Sequence, residues 1–260
     1  MTRKNLIVQT YTIRDFCKTE EDFAASMQKV AAIGYGGVQV SGIGPIEPEK
    51  IRKICDANGL DVVTTHRPFT EYATKRKLDE LIAYHEKLGS IYPGIGSMPG
   101  DIFPRTAEGF AAFGQKMRFA ADYLAEHGMH LVYHNHDFEF ARYNGKLGHE
   151  VIFEHAGDNL MAEIDTFWVT AGGMDPAKFI SRFKGRVDVL HCKDYGVKSE
   201  GGRMMREVGE GNSDWPAIFA ACKEAGVKYF AVEQDDCNGL DPFDCLKTSF
   251  DNLRKYLKIK

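Results

Sequence analysis

The stretch Ala31-Ala-Ile-Gly-Tyr-Gly-Gly-Val-Gln-Val40 ends a helical pattern, passes through glycine and opens a short apolar run. Glycine suits the left-handed residue that commonly follows a helix, and Val-Gln-Val reads as a strand. The same phrase returns at Asp56-Ala-Asn-Gly-Leu-Asp-Val-Val-Thr-Thr65, Ala125-Glu-His-Gly-Met-His-Leu-Val-Tyr-His134 and Glu224-Ala-Gly-Val-Lys-Tyr-Phe-Ala-Val-Glu233. Outward from these, apolar runs fall at 6–9, 37–40, 61–66, 90–95, 130–134, 160–165, 187–191 and 228–233. Stretches of helical period separate them at 20–33, 47–58, 76–89, 105–127, 148–156, 175–184, 214–225 and 241–258. Pro48 falls in the first turn of the second, Pro104 just ahead of the fourth, and Asp214 with Pro216 can cap and open the seventh.

Eight such units in roughly 250 residues predict an α/β chain folded as a single (β/α)8 TIM barrel, one domain over residues 1–260. The rival is a doubly wound open sheet. It usually has fewer strands and, when it binds a dinucleotide, places Gly-x-Gly-x-x-Gly after the first strand. Here that position reads Gln9-Thr-Tyr-Thr-Ile-Arg14, without a glycine.

The chain is 43% hydrophobic and 27% charged, too apolar for disorder and too evenly charged for a membrane span. Lys and Arg number 33 against 37 Asp and Glu, a formal net charge of −4, so no general attraction to nucleic acid or anionic lipid is expected. Met1-Thr-Arg-Lys-Asn-Leu-Ile-Val-Gln-Thr10 lacks a signal-peptide core, and a cytoplasmic location is expected. Six cysteines, at 17, 55, 192, 222, 237 and 245, form no Cys-x-x-Cys pair and are expected to be reduced thiols.

The polar residues are biased to one end of the strands. His66, His134, Asp165, His191 and Glu233 each fall at a predicted carboxyl end, where barrel enzymes carry their chemistry. Strands five to eight then bring His134, Asp165, His191 and Glu233 to one point, a mixed nitrogen and oxygen donor set suited to a divalent ion. The competing reading is a hydrogen-bonded polar plug, in which the apposed carboxylates would repel. Alternation in Val132-Tyr-His-Asn-His-Asp-Phe-Glu139 puts His136 on the same face as His134, one step further out. Glu139, beyond the strand, is the alternative strand-five ligand. Lys193, two past His191, shares its strand face and is read either as polarising a substrate oxygen or as a structural ion pair.

With Glu163-Ile-Asp165, His191-Cys-Lys-Asp194, Val232-Glu-Gln-Asp235 and the loop Val208-Gly-Glu-Gly-Asn-Ser-Asp-Trp-Pro216, the chain resembles the xylose isomerase-like superfamily. More narrowly it resembles the sugar phosphate isomerase/epimerase family, with its inosose dehydratases, inosose isomerases and ketose 3-epimerases. The resemblance implies one divalent ion (Mn, Co, Zn, Fe or Mg) held by Glu, Asp, His and Glu from strands five to eight. Asp165, His191 and Glu233 match the last three, and His134 stands where the family has glutamate. Because the two glutamates act as the acid/base pair in the ketose epimerases, this replacement moves weight toward isomerisation or elimination. Trp168 stands where the epimerases have histidine, and is read as a platform for a sugar ring or as loop packing. His66 is read as a substrate hydroxyl or carbonyl contact.

A metal at a barrel mouth chelates a carbonyl and a neighbouring hydroxyl and lowers the cost of an enediolate. The expected activity is therefore isomerase or epimerase chemistry on a keto-sugar or keto-inositol. Glu233 is the expected base, and His136 or Lys193 is expected near the developing charge. A β-eliminating dehydratase or lyase is the alternative, and a catalytically silent sugar-binding barrel the second. An apurinic endonuclease is disfavoured by the net charge and by the single ligand quartet. The expected partner is a small sugar or cyclitol, with no nucleic acid and no membrane; homo-oligomerisation is left open.

Overall fold

The computed structural model describes residues 1–259. Eight parallel strands alternate with helices: β1 (Leu6–Gln9), β2 (Gly37–Val40), β3 (Asp61–Thr65), β4 (Gly94–Ile95), β5 (Val132–His134), β6 (Met161–Asp165), β7 (Val189–Cys192) and β8 (Tyr229–Val232). The sheet runs β3-β2-β1-β8-β7-β6-β5-β4, and a parallel bridge between Thr64 and Tyr92 joins its two ends. This is the expected TIM barrel. The fourth run is reduced to two strand residues because Pro93 has no N–H to give to a ladder.

The helices are α1 (Glu20–Ile33), α2 (Pro48–Ala57), α3 (Lys75–Leu88), α4 (Ala107–Glu126), α5 (Gly148–Ala156), α6 (Thr166–Ala171), α7 (Pro176–Ile180), α8 (Trp215–Ala225) and α9 (Pro242–Leu257). Their starts obey local chemistry: the Thr19, Thr74 and Thr106 hydroxyls and the Asp214 carboxylate accept amide N–H bonds from the first turns. Gly89 and Gly226 end α3 and α8 with φ of 69° and 89°, the left-handed conformation the recurring phrase anticipates.

Three features depart from the expected layout. The helix expected at 175–184 divides into α7 and a 3-10 turn at Ser181–Phe183. The short α6 begins directly from β6, because Asp165 ends the strand and caps the helix at once. Hairpins Arg142–Tyr143/Lys146–Leu147 and Asp194–Val197/Arg203–Arg206 extend the loops after β5 and β7. The first turns on Asn144-Gly145, both with positive φ, a dipeptide that signals a tight hairpin in sequence.

Alternation sorts the barrel interior into layers. Ile7, Val63, Tyr92, Val132, Met161, Val189 and Ala231 pack together as an apolar floor. Two residues further along the same strands, Gln9, His134, Glu163, His191 and Glu233 point inward, all buried. Even-phase residues such as Leu6, Val8, Val38, Leu190, Phe230 and Val232 face the helices. The polar layer is thus held open above a dry floor. All six cysteines are free thiols, five of them buried. Among the described residues no helix is long and apolar enough to cross a membrane.

Candidate active site

The register carries the strand-end residues to one place: Asp165 pairs across from His191, and His191 from Ala231, two residues before Glu233. One ligand atom from each of His134, Asp165, His191 and Glu233 lies within 4.8 Å of the others, and all four residues are buried. Glu139 is elsewhere. Its buried carboxylate accepts from the Tyr133 hydroxyl at 2.6 Å and the His136 amide at 2.9 Å, so His134 is the strand-five member of the group.

The imidazole hydrogen bonds decide which nitrogens are free. His134 Nδ1 donates to the Gly96 carbonyl at 3.0 Å, because a carbonyl oxygen can only accept. Its Nε2 therefore faces Asp165 Oδ2 at 3.1 Å. Burial, with His191 nearby, pushes the His134 pKa down, which favours the neutral ring. His191 Nε2 donates to Gln39 Oε1 at 2.8 Å, while the Gln39 amide donates to Glu163 at 3.0 Å. His191 Nδ1 is left facing Glu233 Oε2 at 2.9 Å and Asp165 Oδ2 at 3.8 Å. Two imidazole nitrogens and two carboxylate oxygens converge, each ring oriented by an acceptor behind it. That is the donor chemistry and the backing that a divalent ion takes in proteins. The residues fit the ion.

Lys193 balances the same carboxylates. Its buried ammonium lies 2.8 Å from Glu233 Oε2 and 3.1 Å from both Asp165 Oδ2 and Asp235 Oδ2. Burial works against the charge on Lys193, but Asp165, Glu233 and Asp235 outweigh it and hold its pKa above the usual value. Burial would likewise raise Glu233, yet Lys193 and His191 hold it well below the usual carboxylate range. Asp235 behaves differently: burial and the neighbouring Glu233 push it up to about 7. For His191, burial is overcome by Glu163 and Glu233, which raise it to about 10.

Directly beneath lies a second set that strand-end reading passed over. Glu163, two residues before Asp165 and on the same face, accepts from His66 Nε2 at 2.5 Å and faces His191 Nε2 at 3.3 Å. Gln39 completes the network. Its sequence signal was a glutamine flanked by valines in a buried strand, an inward polar residue that needs partners.

The group opens into a cavity of about 430 Å³, whose wall includes His66, His134, His136, Lys193, Glu233 and Asp235. His136 stands beside His134 with ring centres 4.9 Å apart; burial, with His134 nearby, pushes it down to about 3, so it is neutral. Trp168 does not form part of that wall. It packs behind His136, ring centres 5.2 Å apart, and its N–H donates to the capping Asp165 Oδ1 at 2.9 Å through the main chain. Asp194 is structural: its buried carboxylate accepts from the Gly209, Gly211 and Ser213 amides and from the Trp215 indole at 2.7 Å. The loop Val208–Pro216 is folded around it.

Residues 27–256 match the family described as xylose isomerase-like TIM barrel, and the chain belongs to that family. Among characterised relatives, the chain is 23% identical to the rhizopine catabolism protein MocC of Rhizobium meliloti over 265 residues, covering 88% of this chain and 80% of that protein. It is 23% identical to the inosose dehydratase of Geobacillus thermodenitrificans (strain NG80-2) over 272 residues, covering 86% of each. A solved sugar phosphate isomerase/epimerase from Parabacteroides distasonis ATCC 8503 superposes with a TM-score of 0.81 at 22% identity, covering 100% of this chain and 96% of that one.

Proposed function

We propose that this chain is a divalent-metal-dependent isomerase or epimerase of keto-sugars or keto-inositols, with His134, Asp165, His191 and Glu233 holding the ion. The observation that carries this reading is the pair of oriented imidazoles, each anchored by an acceptor behind it and turning its other nitrogen to the Asp165 and Glu233 carboxylates at the barrel mouth. When bound, the ion supplies Lewis-acid polarisation of a carbonyl and its neighbouring hydroxyl.

The chain's own residues supply the rest. Glu233, kept ionised by Lys193 and His191, takes the proton from the carbon beside the carbonyl. The Lys193 ammonium, 2.8 Å from that carboxylate, stabilises negative charge developing on the substrate oxygen. Neutral His136 and the Glu163-backed His66 hydrogen-bond hydroxyl groups from the cavity wall. Trp168 fixes the face of His136. Return of the proton to the adjoining carbon isomerises the substrate, and return on the other face epimerises it.

A second reading is β-elimination by the same first step, with loss of a hydroxyl in place of proton return. The strand-five member of the group is an imidazole in place of a second glutamate, and a relative is named an inosose dehydratase. Metal analysis followed by a screen of keto-sugars and keto-inositols for solvent deuterium uptake tests both. Uptake that needs the metal supports the isomerase or epimerase, and loss of water supports elimination. Saturable sugar binding that survives complete metal removal, without exchange, would instead mark a silent binding barrel.

A further inference from the structure

The charged residues around the mouth are almost all neutralised locally. Arg67 makes two bonds to Glu71, at 2.6 and 2.8 Å, Arg203 pairs with Asp137 at 2.6 Å, and Lys193 is shared among three carboxylates. Within the cavity wall, Arg14 is the cation without such a partner. It follows β1 in the 3-10 segment Thr10–Phe16 and forms part of the same cavity wall as the metal-ligating group. Its guanidinium has no carboxylate within 4.0 Å among the described residues. It donates instead to two main-chain carbonyls, Tyr11 at 2.8 Å and Asp235 at 3.2 Å, and lies over the Tyr11 ring at 4.3 Å.

Neutral carbonyls hold the fork in place without cancelling its charge. Of the five N–H groups a guanidinium carries, they occupy only a share, so donors remain for a ligand. The support is built: Gly42 has φ of 69°, and a Cβ there would meet the Tyr11 ring at 2.7 Å, so only glycine lets the β2 loop close on the ring under Arg14. Ser41, on the same wall, has its main chain fixed by the Thr10 hydroxyl, while its own hydroxyl has no hydrogen-bond partner among the described residues. The anchoring carbonyl belongs to Asp235, two residues past Glu233, a main-chain span of at most roughly 7 Å.

We propose that Arg14 binds an anionic group, a phosphate ester or a carboxylate, on the end of the substrate remote from the metal-ligating group. The inference rests on the function proposed above and narrows its substrate class to acidic sugars. An oriented guanidinium recognises both groups through paired N–H bonds. A neutral hydroxyl at the same place would leave the charge unanswered.

Isothermal titration of the Mn²⁺-supplemented protein with matched pairs tests this: D-fructose 6-phosphate against D-fructose, D-ribulose 5-phosphate against D-ribulose, and D-fructuronate against D-fructose. For at least one pair the anionic member is expected to bind at least about tenfold more tightly. Arg14→Gln should remove that preference while leaving the weaker affinity for the neutral partner, and Arg14→Lys should keep part of it. Preference confined to phosphates or to the uronate identifies the source of the charge. Equal affinity within twofold in every pair, absence of binding by all members, or a preference that Arg14→Gln retains overturns the proposal. Mn²⁺ stoichiometry, measured on the same samples, reports separately on the metal reading: one ion per chain without anion preference sinks only the role of Arg14.

Discussion

His134 Nε2 stands 3.1 Å from Asp165 Oδ2, while the other nitrogen of that ring is committed to the Gly96 carbonyl. Two electron-pair donors facing each other in a buried site need a cation or a proton between them. Burial disfavours the protonated ring, and the Lys193 ammonium 3.1 Å from the same Asp165 oxygen balances the carboxylate without bonding the imidazole nitrogen, which stays open to a metal ion.

Reconstitution with Mn²⁺, Co²⁺ or Zn²⁺ should therefore load about one ion per chain, the complement of a single site with four protein donors. Asp165→Ala should abolish loading. It should also lower stability by ~1 kcal/mol through loss of the cap on the Trp168 amide, leaving a folded barrel by circular dichroism. A wild-type chain that takes up none of these ions by elemental analysis would falsify the metal site.

Glu233→Gln keeps the shape of the carboxylate and removes its basicity. Proton exchange between substrate and solvent, followed by deuterium uptake, should fall at least ~10²-fold, with part of the metal affinity retained. Exchange at the wild-type rate in a metal-loaded variant would pass the role of base to His134 or His136.

Glu163 touches neither the cavity nor the quartet's inner atoms, yet it holds His66 and, through Gln39, the proton on His191 Nε2. Glu163→Gln should weaken metal binding by ~10- to 100-fold, as loss of a group orienting a ligating imidazole does. Unchanged affinity in a calorimetric titration would reduce Glu163 to packing.

Far from the site, His149 sits fully buried among Phe140, Phe153, Phe179 and Phe183, with neither ring nitrogen hydrogen-bonded. Burial pushes its pKa down to about 3, so the folded chain holds it neutral. The depressed value means its stability contribution is complete above the unfolded pKa of about 6.5 and is lost as pH falls from there toward 3. His149→Phe should stabilise the chain by roughly 1–3 kcal/mol at pH 7, where it removes two unpaired polar atoms. The advantage should widen by ~1.4 kcal/mol per pH unit below about 6. Urea denaturation at pH 7 and pH 5 measures both, and a variant less stable at both values would show that the cage cannot accept the larger ring.

Local chemistry was legible in the chain itself. The alternation of helical stretches with short apolar runs, punctuated in four places by the helix-glycine-strand phrase, gave the number and order of the barrel units, since glycine at a helix end and alternation in a strand are properties of a few neighbouring residues. The same alternation placed His134 and His136 on one face, and the bias of polar residues to the strand ends marked the mouth. Asn144-Gly145 carried a hairpin signal as plain as these, set between longer periodic stretches.

What the linear chain left open depended on residues far apart in it. Whether His134 or Glu139 joins the quartet turned on the Tyr133 hydroxyl, which claims the Glu139 carboxylate, and on how the chain folds back after β5. Gln39 and Glu163 acquired roles only when closure of the barrel set β2 opposite β6, a separation of 124 residues bridged by the Gln39 amide on both Glu163 oxygens. Trp168, which the sequence left between a ring platform and loop packing, lies against His136 because Asp165 turns the strand straight into α6. Arg14 looked like any loop arginine until tertiary contacts showed which acidic groups had already been claimed by other cations. Secondary structure is written in short-range sterics and hydrogen bonding, whereas a ligand site is a sum of pairings across the barrel, and only the closed barrel decides which donors are left free.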